Sequence, residues 1–510
     1  MQPTAPRAPN AIARSTKVTA ALPWPRSGPI GGGLIRETFD NAAFTHSAIG
    51  FRYRILRTGA GLFVDFQKVD GTLHGRKLLS WFVGSGATAR SYIVADNQYL
   101  FEAPVAYYTA SAKWALAPAY DSYAYPFLTR AIQPGCLTCH ASFLQPIAPT
   151  QNRYDAQPFR EGGVACERCH GPGERHIASG APMLNPAKLP PAQRDSICAQ
   201  CHLSGEARVM QPGRDWQSFH PGERLSDTMT IFVKASRKPG MTVTGHVEKL
   251  AQSACKQASG DKLWCGTCHN PHAVPSATGR AAWFRAKCLG CHASAAAACK
   301  ETQAARLKKQ DDCTACHMPK STVVDASHVV YTDHSIPRRP RTQPTAAAGA
   351  DLVPFGGVAA APRDLALAYA IARNQTKALP LLEKAEESSP NDVEVLLYLA
   401  EIYRNANQYD SAVPLYQRAM RLDPTQVTAS AGLGAILMER GRAAEAIPLW
   451  EDALAKSPGL VLVRTNLAMA YLRTGDAAAA ERHLVKAVEL SPAFAAPADL
   501  LRRVREQLPK

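Results

Sequence analysis

The sequence predicts a multidomain protein with a small β-rich N-terminal module, a mostly α or irregular middle domain and a C-terminal all-α solenoid. Three observations predict this division. Strand-like alternation occupies residues 36–130, six copies of one cysteine–histidine motif occupy residues 131–335, and a 34-residue repeat fills residues 359–494. At 510 residues, the chain is long enough for two or three domains.

The first ordered module should be a small antiparallel sheet. Phe51, Tyr53 and Ile55 alternate with Arg52 and Arg54, as residues on two faces of a strand do. Further short apolar runs are separated by turn signals such as Gly-Ser-Gly and Asp-Asn. Residues 1–35 are rich in Pro, Arg and Gly and are expected to be a disordered or mis-annotated leader.

The middle domain is dominated by the pattern Cys-x-x-Cys-His. The six copies are Cys136-Leu-Thr-Cys139-His140, Cys166-Glu-Arg-Cys169-His170, Cys198-Ala-Gln-Cys201-His202, Cys265-Gly-Thr-Cys268-His269, Cys288-Leu-Gly-Cys291-His292 and Cys313-Thr-Ala-Cys316-His317. Positions i, i+3 and i+4 share one face of a helical turn. Two thiols there can form thioethers to one porphyrin while the imidazole ligates its iron. The pattern therefore predicts six covalent haem c groups, whose porphyrins would fill a hexahaem domain at residues 131–335.

Zinc is the alternative to haem, because paired Cys-x-x-Cys units also build zinc ribbons. Zinc does not need a histidine after every pair, whereas all six pairs here have one. The pattern therefore favours haem. Cys255 and Cys299 lie outside the motifs, and a disulfide between them or two inert thiols both remain open.

The second face of each haem iron needs a ligand, and non-motif histidines are the candidates. We assign this role to His46, His176, His246, His272, His328 and His334. His272 and His176 follow their own motifs too closely to wrap around the same haem, so each is expected to ligate a neighbouring one. His74 and His220 are the remaining candidates. Six-coordinate iron offers a substrate no open site, so this supply of histidines favours electron transfer over catalysis.

The C-terminal region contains four repeats, assigned to residues 359–392, 393–426, 427–460 and 461–494. The prolines that close them are 34 residues apart, and alanines recur twelve and five residues before each proline. Small residues at helix contacts and a closing proline are typical of tetratricopeptide repeats. Residues 495–510 fit a C-terminal cap helix, and residues 336–358 have a linker composition.

The groove of such a superhelix binds partner proteins, so we expect redox partner proteins to dock there. The polar positions expected to be exposed on the first helices are Arg363, Glu394, Glu401, Arg404, Asn405, Arg464, Asn466 and Arg473.

The net charge of +16 is unevenly distributed. Residues 359–510 hold 18 Lys and Arg and 18 Asp and Glu, so the preceding residues carry the whole excess. A basic surface suits nucleic acid or acidic membranes. Pairing with haem propionates is the simpler explanation, and no nucleic-acid partner is expected. The oligomeric state is left open.

The location of the protein is expected to be periplasmic or otherwise exported, because haem c is attached outside the bacterial cytoplasm. No apolar stretch is long enough for a transmembrane helix. The start of the sequence lacks the apolar core of a signal peptide. We therefore expect the native chain to begin upstream of Met1, with a signal peptide and one more haem motif.

Several stretches resemble multihaem cytochromes of the doubled Cys-x-x-Cys-His and cytochrome c-552/4 type, which are often fused to tetratricopeptide repeats. The stretches that carry the resemblance are Gly84-Ser-Gly-Ala, Cys166-Glu-Arg-Cys-His-Gly-Pro-Gly-Glu-Arg-His176, Gly245-His246, Cys265-Gly-Thr-Cys-His-Asn-Pro-His272, Cys313-Thr-Ala-Cys-His-Met-Pro319 and Thr332-Asp-His334-Ser-Ile. The resemblance implies a haem-binding, exported redox protein.

Two function classes follow. An electron-transfer cytochrome without enzymatic activity is favoured, with the repeats docking its partner. The alternative is a multihaem reductase or oxidase of a small nitrogen or sulfur compound, which would need one five-coordinate haem.

Overall fold

The computed structural model describes residues 27–35, 37–39, 42–47, 50–118, 120, 130–235, 242–294, 299–323, 329–338, 351–492 and 494–507. The chain divides into two compact units. Residues 26–162 and 360–510 form one, here called the sheet–repeat unit, and residues 163–359 form the other, the five-motif unit. The motif at Cys136–His140 therefore groups with the strands and the repeats, although the sequence assigned it to one domain with the other five.

The sheet–repeat unit begins with two antiparallel sheets. Their strands are β1 (Gly28–Pro29), β2 (Ala43–His46), β3 (Phe51–Thr58), β4 (Gly61–Lys68), β5 (His74–Leu79), β6 (Trp81–Val83), β7 (Ala89–Asp96), β8 (Tyr99–Tyr108) and β9 (Lys113–Leu116). The strand orders are β2-β3-β4-β5 and β1-β6-β7-β8-β9. The β-rich module is confirmed: Phe51, Tyr53 and Ile55 are buried, while Arg52 and Arg54 are exposed.

Two features of this unit fall outside the expected β-rich module. Strand β1 lies in the stretch assigned to the leader, yet it pairs with β6. Beyond residue 130, the first motif begins in helix α1 (Pro134–Leu137) and is followed by a hairpin of β10 (Ser142–Pro146) and β11 (Tyr154–Glu161). The first Cys-x-x-Cys-His motif is thus embedded in β structure.

The five-motif unit is built mainly from short helices. They are α2 (Glu167–His170), α3 (Glu174–Ser179), α4 (Pro191–His202), α5 (His246–Ala251), α6 (Ala254–Ser259), α7 (Cys265–Cys268), α8 (Arg280–His292), α9 (Gln303–Leu307) and α10 (Cys313–His317). Its strands are β12 (Ala207–Met210), β13 (Met229–Lys234), β14 (Lys320–Thr322), β15 (Val330–Thr332) and β16 (Leu352–Pro354). Strand β16 lies in the expected linker and pairs with β13, in the sheet β12-β13-β16.

The repeats form pairs of antiparallel helices, followed by a cap helix. They are α11 (Pro362–Ile371), α12 (Gln375–Ser388), α13 (Val393–Asn405), α14 (Tyr409–Leu422), α15 (Val427–Glu439), α16 (Ala443–Lys456), α17 (Val461–Arg473), α18 (Ala477–Leu490) and α19 (Ala495–Gln507). The recurring alanines are at most 2% exposed, which confirms that they form the helix contacts: Ala378, Ala412, Ala446, Ala480, Ala385, Ala419, Ala453 and Ala487.

One position expected to be exposed in the groove has a structural role instead. The Arg363 side chain is only 13% exposed and donates to Asp364, Asp392 and Glu394 at 2.7–3.0 Å. The sequence showed a charged residue on a first helix, but it did not show that three carboxylates converge on it. Arg363 therefore ties the first repeat to the second.

Candidate haem-binding sites

All six motifs lie on short helices or helical turns. The second, fourth and sixth motifs coincide with α2, α7 and α10, and the third and fifth end at the last residues of α4 and α8. The first continues from α1 into a turn in which the His140 N–H donates to the Leu137 carbonyl at 2.8 Å. This conformation puts the two thiols and the imidazole of a motif on one face, which covalent haem attachment requires.

The first motif is set in the core of the sheet–repeat unit. Leu137 and Ala141 are buried in one cluster with residues of β6, β7, β8 and β11. Close to the Cys136 thiol lies an ion pair in which Arg130 Nη1 and Glu102 Oε2 are 2.7 Å apart. Burial raises the pKa of Glu102 to about 7, although Arg130 opposes this shift. This pair was not predicted from the sequence, where its only signal was one carboxylate in the apolar run of β8.

The Nδ1 atoms of His140 and His46 are buried without a hydrogen-bond partner in the described protein. Burial also lowers the pKa of His140, so its imidazole is neutral at pH 7. A buried polar nitrogen without a partner is unfavourable and calls for a ligand or a water molecule. Both histidines were predicted to ligate haem, and a neutral imidazole is the form that binds a metal.

Four histidines cluster in the five-motif unit. The ring centroids of His202 and His246 are 5.1 Å apart, those of His246 and His334 are 5.0 Å apart, and those of His269 and His334 are 6.2 Å apart. Burial lowers the pKa of all four. For His246 the pKa falls to about 3, because burial and the charges of the three neighbouring histidines all lower it. The cluster thus joins the third and fourth motifs through two predicted second ligands.

Two of the separations between histidines match the needs of a haem iron. An imidazole nitrogen binds a metal at about 2 Å, so the centroids of two imidazoles on opposite faces of one iron lie roughly 6 Å apart. The His269–His334 rings are 6.2 Å apart and 27° from parallel. The rings of His170 and His272 are 5.8 Å apart and 17° from parallel. His272 thus faces the imidazole of the second motif.

In four of the motif and candidate histidines, Nδ1 has a backbone partner typical of metal-ligating histidines. With Nδ1 assigned as the donor, His170 donates to the Leu184 carbonyl at 2.7 Å and His334 donates to the Thr332 carbonyl at 2.9 Å. Further bonds of this kind join His176 to Ala181 at 2.8 Å and His317 to Pro337 at 3.1 Å. Such a bond fixes the ring and its tautomer and leaves Nε2 free for the metal.

Contacts between cysteines show which motifs are neighbours. The Cys198 thiol of the third motif lies beside the Cys265 thiol of the fourth, and the Cys288 thiol of the fifth lies beside the Cys313 thiol of the sixth. The Trp283 indole between the fourth and fifth motifs donates to the Cys268 carbonyl at 3.2 Å. The third to sixth motifs therefore follow one another in space as they do in sequence.

The described residues that carry the last three motifs form no buried apolar core. From residue 254 to residue 322, no described apolar side chain is buried. Trp283, Leu289 and Val274 are 36%, 37% and 67% exposed. Since burial of apolar surface is what stabilises a fold, this region lacks an apolar filler next to its motif cysteines. The flat apolar faces of porphyrins fit that requirement.

The remaining histidines singled out from the sequence lie at exposed positions or outside the described residues. His292 is exposed at the end of α8, His74 and His220 are also exposed, and His328 lies outside the described residues. Cys255 and Cys299 are both free thiols in the structure. In the described ranges, no three His, Cys, Asp or Glu side chains gather around a point that could hold a metal ion.

Family models match both halves of this architecture. The doubled CXXCH motif matches residues 257–297, around the fourth and fifth motifs, and the cytochrome c554 and c-prime family matches residues 116–171, around the first and second. Tetratricopeptide models match residues 363–427, 397–461 and 437–504. The chain joins a multihaem c-type cytochrome to tetratricopeptide repeats. This combination supports electron transfer and protein interaction.

Individual relatives cover parts of this cytochrome–repeat chain. The multiheme cytochrome MtrA of Shewanella baltica is 24% identical over 177 residues, which make up 31% of this chain. The match spans about half, 52%, of that relative's own length.

Among solved structures, a point mutant of MamA is 25% identical and covers 29% of this chain and 85% of its own, with a TM-score of 0.27. MamA from Desulfovibrio magneticus is 23% identical over 29% of this chain and 82% of its own, also with a TM-score of 0.27. In the part of the chain that the structure describes, no helix is both long and apolar enough to cross a bilayer.

Proposed function

We propose that the protein is an exported electron carrier that holds six covalent haems through its six motifs and docks a redox protein through its repeats. The observation that carries the proposal is the four-histidine cluster. Two motif histidines, His202 and His269, lie there against two non-motif histidines, His246 and His334. A haem that only carries electrons has both faces of its iron ligated, whereas a catalyst needs one face open.

Two of the proposed ligand pairs have the ring separation expected for opposite faces of one iron, and the third joins the two remaining histidines of the cluster. His170 pairs with His272, His202 pairs with His246, and His269 pairs with His334. His46 is proposed to pair with His140, because both are in the sheet–repeat unit and both have a buried Nδ1 without a partner. His176 and His328 complete the proposed set.

In this proposal the protein has three tasks. The cysteines of each motif bind a porphyrin, backbone carbonyls orient the imidazoles of His170 and His334, and burial favours the neutral form of His246 and His334. Haems with two imidazole ligands supply reversible one-electron transfer between close neighbours. The contacts Cys198–Cys265 and Cys288–Cys313 support a relay from the third motif to the sixth.

Export and partner docking are the finer parts of the proposal. Export is supported by the requirement that haem c be attached outside the cytoplasm and by the similarity to MtrA, which is itself described as a multiheme cytochrome. Docking is supported by the tetratricopeptide matches, since stacked repeats present extended binding surfaces.

The test is the intact mass and the paramagnetic resonance spectrum of protein matured in a host that attaches haem c. Six added haems with only low-spin signals are expected. A folded, zinc-loaded protein without haem would overturn the assignment of the cofactor. A high-spin signal in the fully loaded oxidised protein would instead favour a reductase with an open iron.

A further inference from the structure

The first half of β8 holds both ends of the segment that contains the first motif. The Ile132 N–H donates to the Leu100 carbonyl at 2.9 Å, and the Leu100 N–H donates to the Asn152 carbonyl at 2.9 Å. The Tyr154 N–H donates to the Gln98 carbonyl at 3.1 Å. Since the motif lies between residues 132 and 152, the position of residues 98–100 fixes where it enters and leaves.

The same half of β8 packs against residues 455–459, which comprise the end of α16 and the start of the loop before α17 and are here called the turn at residues 455–459. The Tyr99 hydroxyl donates to the Ala455 carbonyl at 2.8 Å. Gly459 packs so closely against the Phe101 ring that a β-carbon there would lie 2.4 Å from it. Phe101 is 1% exposed, and it also forms an isolated β-bridge with Ala131. One turn of the repeats therefore contacts the strand that holds the motif.

Two further contacts reinforce this arrangement. The Gln151 N–H, next to the bonded Asn152, donates to the Lys456 carbonyl at 3.4 Å. Lys486 Nζ of the fourth repeat is 3.0 Å from Asp96 Oδ2 at the end of β7. Both side chains of that ion pair are about one-third exposed, so solvent screening keeps its contribution small. The backbone contacts and the Phe101–Gly459 packing are the stronger constraints.

We propose that the turn at residues 455–459 positions the first haem-binding motif, which makes the tetratricopeptide repeats part of the framework of that haem site. The inference rests on the proposed function in one respect, the haem at Cys136–His140. A repeat module that only docked a partner would have no effect on haem binding. In this proposal, displacing the turn changes the first haem site and leaves the other five unchanged. Residues 455–459 are positioning residues, and none of them is a ligand.

The test compares two glycine substitutions in the full-length protein. Gly459→Ala forces the turn away from Phe101. Gly434→Ala is the matched control, since its β-carbon would lie 2.5 Å from Trp450 Nε1, in a contact between the two helices of the third repeat. Both variants place a β-carbon 2.4–2.5 Å from an aromatic ring atom, but only that of Gly459→Ala meets a residue of the strand that holds the motif.

Two measurements are made on each variant. Mass spectrometry of proteolytic peptides gives the haem occupancy of the Cys136–Cys139 peptide relative to the other motif peptides, and a redox titration gives the midpoint potentials. We expect Gly459→Ala to lower the relative occupancy of this peptide at least twofold, or to shift one potential while the rest stay fixed. Gly434→Ala should do neither.

A milder variant keeps the test valid if Gly459→Ala folds poorly. Tyr99→Phe removes only the hydroxyl that bonds to Ala455, and it should shift the same single potential by a smaller amount. Equal loss of haem from all peptides, or no change at the first site in either variant, would overturn the inference. Absence of haem from the first motif of the unmodified protein would instead count against the proposed function.

Discussion

The indole of Trp450 fills the space that a β-carbon on Gly434 would need, because that carbon would lie 2.5 Å from Nε1. Trp450 is 1% exposed and donates to the Ala431 carbonyl at 3.1 Å, so it has little freedom to move. The other repeats have alanine at the position of Gly434: Ala366, Ala400 and Ala468. The glycine therefore compensates for the larger side chain opposite it.

Gly434→Ala should destabilise the repeats, since overpacking a filled core typically costs about 1–3 kcal/mol. Chemical denaturation followed by circular dichroism would measure the change. The double variant Gly434→Ala, Trp450→Leu reproduces the Ala–Leu pair of the first and fourth repeats and should recover part of the loss. A double variant less stable than either single one would contradict the compensation.

Glu102 should make the stability of the sheet–repeat unit depend on pH. Burial raises its folded-state pKa from 4.5 to about 7, so the folded protein binds more protons than the unfolded chain between these values. The contribution of the protonated Glu102 carboxyl to the free energy of unfolding is complete below pH 4.5 and is lost as the pH rises through about 7. The loss is at most about 1.4 kcal/mol per pH unit.

Glu102→Gln should therefore flatten the fall in the free energy of unfolding between pH 5 and pH 7. The measurement is denaturant unfolding at several pH values. Glu506→Gln, at an exposed position on α19, is the control and should leave the slope unchanged. An equal slope in Glu102→Gln and the unmodified protein would show that Glu102 is not the titrating group.

His334→Ala should convert one haem from low spin to high spin without changing the number of attached haems. The imidazole is the proposed second ligand opposite His269, and no cysteine is altered. Paramagnetic resonance of the oxidised protein would show the new signal, and intact mass would show the unchanged haem count. His220→Ala, at an exposed histidine, should leave the spectrum unaltered. An unchanged spectrum in His334→Ala would refute the pairing.

Protein made without haem maturation should be protected from proteolysis very unevenly. The repeats and the sheets have buried apolar cores of their own, whereas the described residues between 254 and 322 bury no apolar side chain. Limited proteolysis should cut first in that stretch and leave the repeats intact. The haem-loaded protein serves as the control and should resist cleavage there. Equal resistance with and without haem would mean that the polypeptide alone holds the region together.

The sequence predicted the features that depend on local spacing. The 34-residue period located the helices because each repeat must bury small residues at the same two contacts, as Ala412 and Ala419 do. The motifs could be placed on helical turns for the same reason. The sequence did not predict that His272 faces His170. The short spacing between His269 and His272 excluded a shared haem, but it did not identify the motif that His272 would face.

Long-range packing accounts for the rest of what the sequence could not show. Gly459 and Phe101 are more than 350 residues apart, and neither residue carries a pattern that points to the other. Strand β16 was missed because three residues in a linker have no periodicity to detect. The three carboxylates around Arg363 likewise depend on how two repeats stack.

The division of the chain has a consequence for assembly. Residues 26–162 and 360–510 form one unit, so the intervening stretch is topologically an insertion whose two ends belong to the same folded body. If residues 26–162 and 360–510 fold together before the haems are attached, they hold the two ends of the insertion close to each other, as a cross-link does in a polymer loop. Chain-entropy estimates put the effect of closing so long a loop on the order of 5 kcal/mol. The unfolded insertion would then have fewer conformations to lose as each porphyrin is attached.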